Sequence, residues 1–140
     1  MPEGALVIAS NGVLYGTTQG GGAYGLGSVF ELTKPAGDSW KETVLHSFSG
    51  SDGQYPESTL AFGSGGVLYG TTLGGNGVAG TIFQLSPPTT SGGAWALTVL
   101  HAFPYNSEDS QNFSPNGTVL IGTGGTLYAT TQGPGSPDLG

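Results

Sequence analysis

Two histidines are the side chains best suited to acid-base chemistry in this sequence. His46 and His101 are its only histidines, and each stands in the local pattern Val-Leu-His-x-Phe. Imidazole titrates near neutral pH, so each residue is a candidate general base or metal ligand. The alternating apolar pattern around each histidine is typical of a strand, which favours a hydrogen-bonded structural role over a catalytic one.

Oxygen-rich loops follow both histidine segments and contain the candidate metal ligands. Asp52 lies in the first loop, and Glu108 and Asp109 lie in the second. Both loops are rich in oxygen donors, and oxygen is the ligand type that calcium prefers. The spacing does not fit an EF-hand, and Asp52-Gly53 forms a turn without any metal. A plain turn is therefore favoured, and a calcium loop is the alternative.

Three tyrosines are the candidate ligand-binding residues. Tyr15, Tyr69 and Tyr128 occur in one short motif that appears three times along the chain. An aromatic ring in such a motif can pack against a neighbouring repeat or line a binding site for a sugar or another small molecule. Packing is favoured here, and ligand binding is the alternative.

Internal repetition organises the elements that must position these residues. The segment Leu14-Tyr15-Gly16-Thr17-Thr18 recurs at Leu68 and, with one change, at Leu127, at spacings of 54 and 59 residues. Pro2, Pro56 and Pro115 each precede the motif by twelve residues. These registers divide the chain into a first repeat over 2–55, a second over 56–114 and half of a third over 115–140, all within one structural domain.

Each complete repeat is predicted to form four short strands separated by Gly-rich turns. In the first repeat we expect strands over 5–9, 13–18, 28–33 and 40–48. Asn11-Gly12 between the first two predicts a two-residue hairpin turn, and Gly pairs occupy the same place in the other repeats. Four strands per repeat predict an all-β fold with propeller-like, four-stranded antiparallel sheets.

The repeated motifs resemble those of the GloVer-type tandem-repeat family of bacterial exported proteins. In the second repeat they are Leu-Tyr-Gly-Thr-Thr, then Gly-Thr-Ile-Phe-Gln-Leu, then a Trp followed by Val-Leu-His-Ala-Phe, all within 68–103. The resemblance implies a repeat β-propeller, exported and anchored at the cell surface, with no defined common activity. The chain itself begins without the basic and apolar regions of a signal peptide.

Charge and composition exclude several classes of partner. The formal net charge is -7, and the only cationic side chains besides histidine are Lys34 and Lys41. Nucleic-acid binding is not expected, because phosphate neutralisation requires clustered Lys or Arg. Membrane insertion is not expected either, since no apolar run approaches the roughly 20 residues that span a bilayer. The sequence contains no Cys, which excludes disulfides and thiolate chemistry.

Two functions are compatible with this pattern. Two and a half repeats are fewer than the four that form a small propeller, so we expect identical chains to complete the ring, with a trimer favoured. The first function is a module that binds a small molecule, carbohydrate or protein. The alternative, by analogy with calcium-dependent propeller lactonases, is a metal-dependent hydrolase of lactones or esters that uses the histidines and carboxylates above.

Overall fold

The first repeat folds into one antiparallel sheet. The computed structural model describes residues 4–37, 39–105 and 114–132. Four strands pair in sequence order, so the sheet is a meander. The strands are β1 (Val7–Ile8), β2 (Leu14–Thr18), β3 (Ser28–Thr33) and β4 (Lys41–Ser47). The predicted all-β repeat is confirmed, although the first strand is shorter than the sequence indicates.

The second repeat forms an equivalent meander, and the third contributes two small sheets. The second sheet contains β5 (Ala61–Phe62), β6 (Leu68–Thr72), β7 (Val78–Ser86) and β8 (Ala96–Pro104). The remaining strands are β9 (Ser114–Pro115), β10 (Leu120–Ile121), β11 (Leu127–Tyr128) and β12 (Thr131–Gln132). Strand β9 pairs with β12, and β10 pairs with β11. Across the described ranges, these sheets do not close into a ring.

Helical structure is confined to two short turns among the described residues. Each is a single 3₁₀ turn, at Ser64–Gly66 and Thr123–Gly125. Among the residues that the structure places, no helix is long and apolar enough to cross a membrane.

The first hairpin has a three-residue loop, so the prediction of a two-residue turn is wrong. The Ala9 amide donates to the Val13 carbonyl oxygen at 2.9 Å, which leaves residues 10–12 in the loop. Gly12 closes the loop with a φ of 81°. A three-residue loop ending in a left-handed glycine is the next commonest hairpin connection after the two-residue turns. The same closing bond joins Gly63 to Val67 and Gly122 to Thr126, so the loop length is a property of the repeat.

A bulge lies beside each histidine in the outer strand pair. Val29 pairs with His46, but the next residue, Phe30, pairs with Val44, so β4 carries an extra residue at this point. The same shift occurs in the second sheet, where Ile82 pairs with His101. An extra residue interrupts the period-two alternation of a strand. For this reason Val44 and His46 do not lie on one face of β4 as strict alternation would place them, and Val44 is half-exposed whereas Phe48, just after the strand, is fully buried.

The main core lies between the two large sheets. It contains residues from both repeats, because a single sheet cannot bury its apolar face without another layer packed against it. Seven buried side chains form it: Tyr15, Val29, Phe48, Leu60, Leu68, Phe83 and Leu85. Phe48 and Phe83 meet edge to face across the sheets with ring centroids 5.2 Å apart.

Consecutive repeats are joined by a junction that occurs twice. At the first junction, the Thr17 hydroxyl donates to the Ser58 carbonyl oxygen at 3.2 Å. At the second, the equivalent Thr71 donates to the Gly117 carbonyl oxygen at 3.5 Å. A glycine at the start of the third strand also receives a proline of the next repeat in both places. These pairs are Gly27 with Pro56 and Gly80 with Pro115.

Candidate functional site

His46 forms the most specific polar contact of the candidate site. It lies on β4, and its Nε2 atom is 2.7 Å from Oδ2 of Asp52. The ring packs edge to face on Phe48 with a centroid separation of 5.1 Å. Both partners of the pair are partly accessible, with 21% of the His46 side chain and 22% of the Asp52 side chain exposed. The imidazole is therefore held by one carboxylate and one ring while it remains open to water.

Asp52 organises the loop that follows β4. Its Oδ1 atom accepts hydrogen bonds from the Ser49 backbone amide at 2.8 Å and from the Ser49 hydroxyl at 2.9 Å. The backbone of this loop also closes on itself between Gly50 and Gly53. Both carboxylate oxygens of Asp52 thus have protein donors. The same residue reaches the next repeat, because its carbonyl oxygen accepts from the Thr81 hydroxyl at 3.4 Å.

The environment of Asp52 makes its folded state sensitive to acid. Burial would raise the pKa of this carboxyl, but hydrogen bonds from the Ser49 amide, the Ser49 hydroxyl and His46 outweigh burial and lower the pKa below 3.8. A lowered pKa means that folding favours the charged form. The resulting stabilisation is complete above the unfolded pKa and is lost as the pH falls through the folded pKa.

We expect Asp52→Asn to lower the free energy of unfolding by about 1–2 kcal/mol at pH 7, because hydrogen bonds to a charged acceptor are lost. The loss should shrink as the pH falls below about 4, because the unfolded carboxyl then takes up a proton while the folded one, with its lowered pKa, stays charged to lower pH. Urea unfolding between pH 3 and 7 measures both quantities. Glu42→Gln, at an exposed position on the preceding strand β4, is the control for charge alone. Parallel pH profiles for the wild type and Asp52→Asn would contradict this assignment.

The second histidine has a different environment. His101 lies on β8 and packs on Phe103 with ring centroids 4.5 Å apart, as His46 does on Phe48. It is exposed, and no carboxylate within the described ranges pairs with it. The candidate ligands Glu108 and Asp109 lie outside the described residues. Within the parts of the chain that the structure places, no group of three His, Asp or Glu side chains is arranged to hold a metal ion.

The three equivalent tyrosines occupy different environments. Tyr15 is buried between the large sheets, where its ring contacts Phe62 at 5.5 Å and Trp95 at 6.0 Å between centroids. Burial, with a smaller effect from Glu31 on the neighbouring strand, raises the pKa of its phenol. Tyr69 is partly buried, and Tyr128 is largely exposed. Tyr15 therefore packs between repeats, and Tyr128 presents its ring to solvent.

A cleft between the repeats was not indicated by any sequence motif. Its volume is about 420 Å³. The turn from Gly74 to Val78 and its neighbours Leu73 and Ala79 form one wall, and Gln54, Tyr105 and Ser114 line the rest. Three of the turn residues are glycines, so the backbone itself faces the cleft. Tyr105 stands where the first repeat has Gly50, and this departure from the repeat is the one signal in the sequence that marks the position.

These features define a repeat protein with two four-stranded antiparallel sheets and two small sheets, in which the same junction joins the first repeat to the second and the second to the third. The chain belongs to the Gloeobacter/Verrucomicrobia repeat family, whose model matches residues 1–140. No curated protein and no solved structure matches it.

Proposed function

We propose that this chain is a β-propeller repeat module that binds a ligand or a protein partner and works as a small homo-oligomer. Identical chains would lie side by side and complete the ring of sheets. Three chains would contribute six four-stranded sheets, two from each, and a trimer is the favoured assembly. Closure by identical chains would also cover the sheet faces that a single chain leaves open.

The observation that carries the proposal is the repetition of one junction between consecutive repeats. The two junctions share the threonine-to-carbonyl hydrogen bond and the proline seated on glycine. A contact that recurs at equivalent residues defines a constant step from one sheet to the next. A constant step between neighbouring units is the property from which closed rings and open arrays are built.

The cleft beside Gln54 and Tyr105 supports the binding role. Its described lining carries no charged side chain. It combines an amide, a hydroxyl, a phenol and glycine backbone with the apolar side chains of Leu73, Val78 and Ala79. Such a surface suits an uncharged polar partner, because hydrogen-bonding groups and an aromatic ring are available without a charge to desolvate. A carbohydrate or a peptide backbone has this character.

Light scattering of the purified chain tests the proposed assembly. We expect a discrete small oligomer with a mass that is a whole multiple of the 14.0 kDa chain. The mass should be the same with and without a calcium chelator, since the repeated junctions involve side-chain and backbone hydrogen bonds and apolar packing. A stable monomer at tens of micromolar would contradict ring completion by association.

The second candidate function is a metal-dependent hydrolase, and the His46–Asp52 pair is the observation in its favour. A partly exposed imidazole that is hydrogen-bonded to a carboxylate is an arrangement used for general bases. Hydrolysis of a γ-lactone and of a phenyl ester, with and without calcium, tests this function. If turnover is lost in His46→Ala but retained in His101→Ala, with both variants folded, the non-catalytic proposal fails. Absence of calcium-dependent turnover in the wild type removes the second candidate.

A further inference from the structure

The first and third repeats each expose a surface that the internal junctions bury in the other repeats. On the first repeat this surface includes the apolar residue just before the first strand. Leu60 is 2% exposed and Val119 is 1% exposed, whereas Leu6 at the equivalent position is 48% exposed. Leu60 belongs to the core that includes Tyr15, Val29 and Phe48 of the first repeat, so the preceding repeat covers it. No described residue covers Leu6 in this way.

Leu6 is nevertheless oriented as its buried counterpart is. It contacts Gly16 of its own repeat, where an added Cβ would lie 2.7 Å from Cδ2 of Leu6. Leu60 makes the same contact with Gly70, at 3.0 Å from an added Cβ. The near side of both leucines is therefore packed alike. Only the far side differs, and at Leu6 that side is open.

The other half of the junction is exposed on the third repeat. Tyr128 is 58% exposed, whereas its counterpart Tyr15 is 9% exposed under Phe62 and Trp95 of the following repeat. Thr130 is the counterpart of the two junction threonines. Its hydroxyl turns back to the Asn116 carbonyl oxygen of its own repeat at 2.8 Å, and the residue is exposed.

A hydrogen-bonded pair of one glutamine and one glutamate supports the same contact. Gln19 of the first repeat donates to the carboxylate of Glu57 in the second repeat. Gln132 occupies the position of Gln19 in the third repeat, and in the sequence Glu3 occupies the position of Glu57 in the first. The third repeat thus carries the donor and the first repeat the acceptor. The internal junction between the second and third repeats lacks this pair, since Leu73 stands at the donor position.

We infer that the third repeat of one copy binds the first repeat of a second copy, head to tail, and that this contact reproduces the internal junction. In it, Ile8 and Trp40 of the second copy, the exposed counterparts of Phe62 and Trp95, cover Tyr128, and Leu6 becomes buried beside them. Thr130 donates to the carbonyl oxygen of Gly4, the counterpart of Ser58 and Gly117. The two surfaces are different, so the contact is heterologous and leaves each end able to bind a further copy. This inference rests on the proposed self-association and specifies the surfaces that mediate it.

Two variants with opposite blocked ends test the inference. Leu6→Asp places a charge in the head surface, and Tyr128→Asp places one in the tail surface. Each alone is expected to have the 14.0 kDa monomer mass by light scattering. Mixed in equal amounts, they are expected to form a dimer of twice that mass, because one retains an intact tail and the other an intact head. Tyr24→Asp, at a similarly exposed tyrosine outside both surfaces, is the control and should retain the wild-type mass.

The outcomes distinguish a wrong assignment of the two surfaces from an absence of self-association. A wild-type monomer contradicts the self-association on which the inference rests. A wild-type oligomer that persists in both variants overturns the assigned surfaces and leaves self-association intact, and a mixture that stays monomeric overturns the head-to-tail arrangement. Thr130→Val is a milder variant that removes one hydroxyl. It should weaken association by up to about tenfold without loss of the circular-dichroism spectrum, as expected for one hydrogen bond.

Discussion

Replacing Gly27 with Ala is expected to destabilise the fold by about 3 kcal/mol or more, because two separate constraints apply at this position. Its φ is 103°, a backbone conformation that side chains with a Cβ rarely adopt. An added Cβ would also clash with Cδ of Pro56 and lie 2.6 Å from the Thr18 carbonyl oxygen. Both neighbours are rigid, so relief requires the second repeat to move away at Pro56 and the backbone of the first repeat to shift at Thr18.

Gly25→Ala is the matched control for Gly27→Ala. Gly25 has a φ of 75°, but an added Cβ there would meet nothing within 4 Å. The control therefore isolates the backbone cost, which is about 1 kcal/mol for a left-handed residue. Urea unfolding of the two variants should differ by at least about 2 kcal/mol. Equal losses in both would show that the contact with Pro56 does not constrain the junction.

Phe48→Ala is expected to cost about 3–5 kcal/mol, the range for a phenylalanine removed from a close-packed core. The ring is fully buried, and it contacts Phe83 of the second sheet at 5.2 Å and His46 at 5.1 Å between centroids. Removing it leaves a cavity between the two sheets and takes away the ring on which His46 rests. Thermal and urea unfolding should both record the loss.

Phe103→Ala provides the comparison for Phe48→Ala, because the two residues are equivalent by sequence. Phe103 is only partly buried, so its loss should cost about 1 kcal/mol in the dilute chain. A protein concentration below the association threshold keeps the comparison free of contacts between copies. If Phe103→Ala destabilised the fold as much as Phe48→Ala, the core would not be centred between the first two sheets.

The sequence contains most of the information needed to predict the sheets. The repeated Leu-Tyr-Gly-Thr-Thr motif locates β2 and β6, and the alternation around His46 and His101 locates β4 and β8. These predictions succeed because strand period and turn residues are local properties. The three-residue hairpin loops and the two bulges were not predicted. They depend on which residues pair across the strands, and a Gly-rich turn permits more than one such register.

The candidate site was harder to predict, because identical residues in equivalent positions have different surroundings. His46 and His101 share one motif, but Asp52 pairs with the first alone among the described residues. Tyr15 and Tyr128 differ in the same way, since a following repeat covers only the first. Burial of this kind depends on whether a neighbouring repeat covers the residue, so it cannot be predicted from the motif alone.

The junctions also determine the order in which parts of the molecule unfold. Each sheet contacts its neighbours in the stack, and all seven residues of the main core come from the first two repeats. Units coupled to nearest neighbours come apart in sequence from the weakly held end. The β10–β11 hairpin forms a separate two-stranded sheet joined by two residue pairs, so we expect it to open before the large sheets do. Backbone amides in β3 and β7, at the centre of both sheets, are then the last to exchange their protons for deuterium.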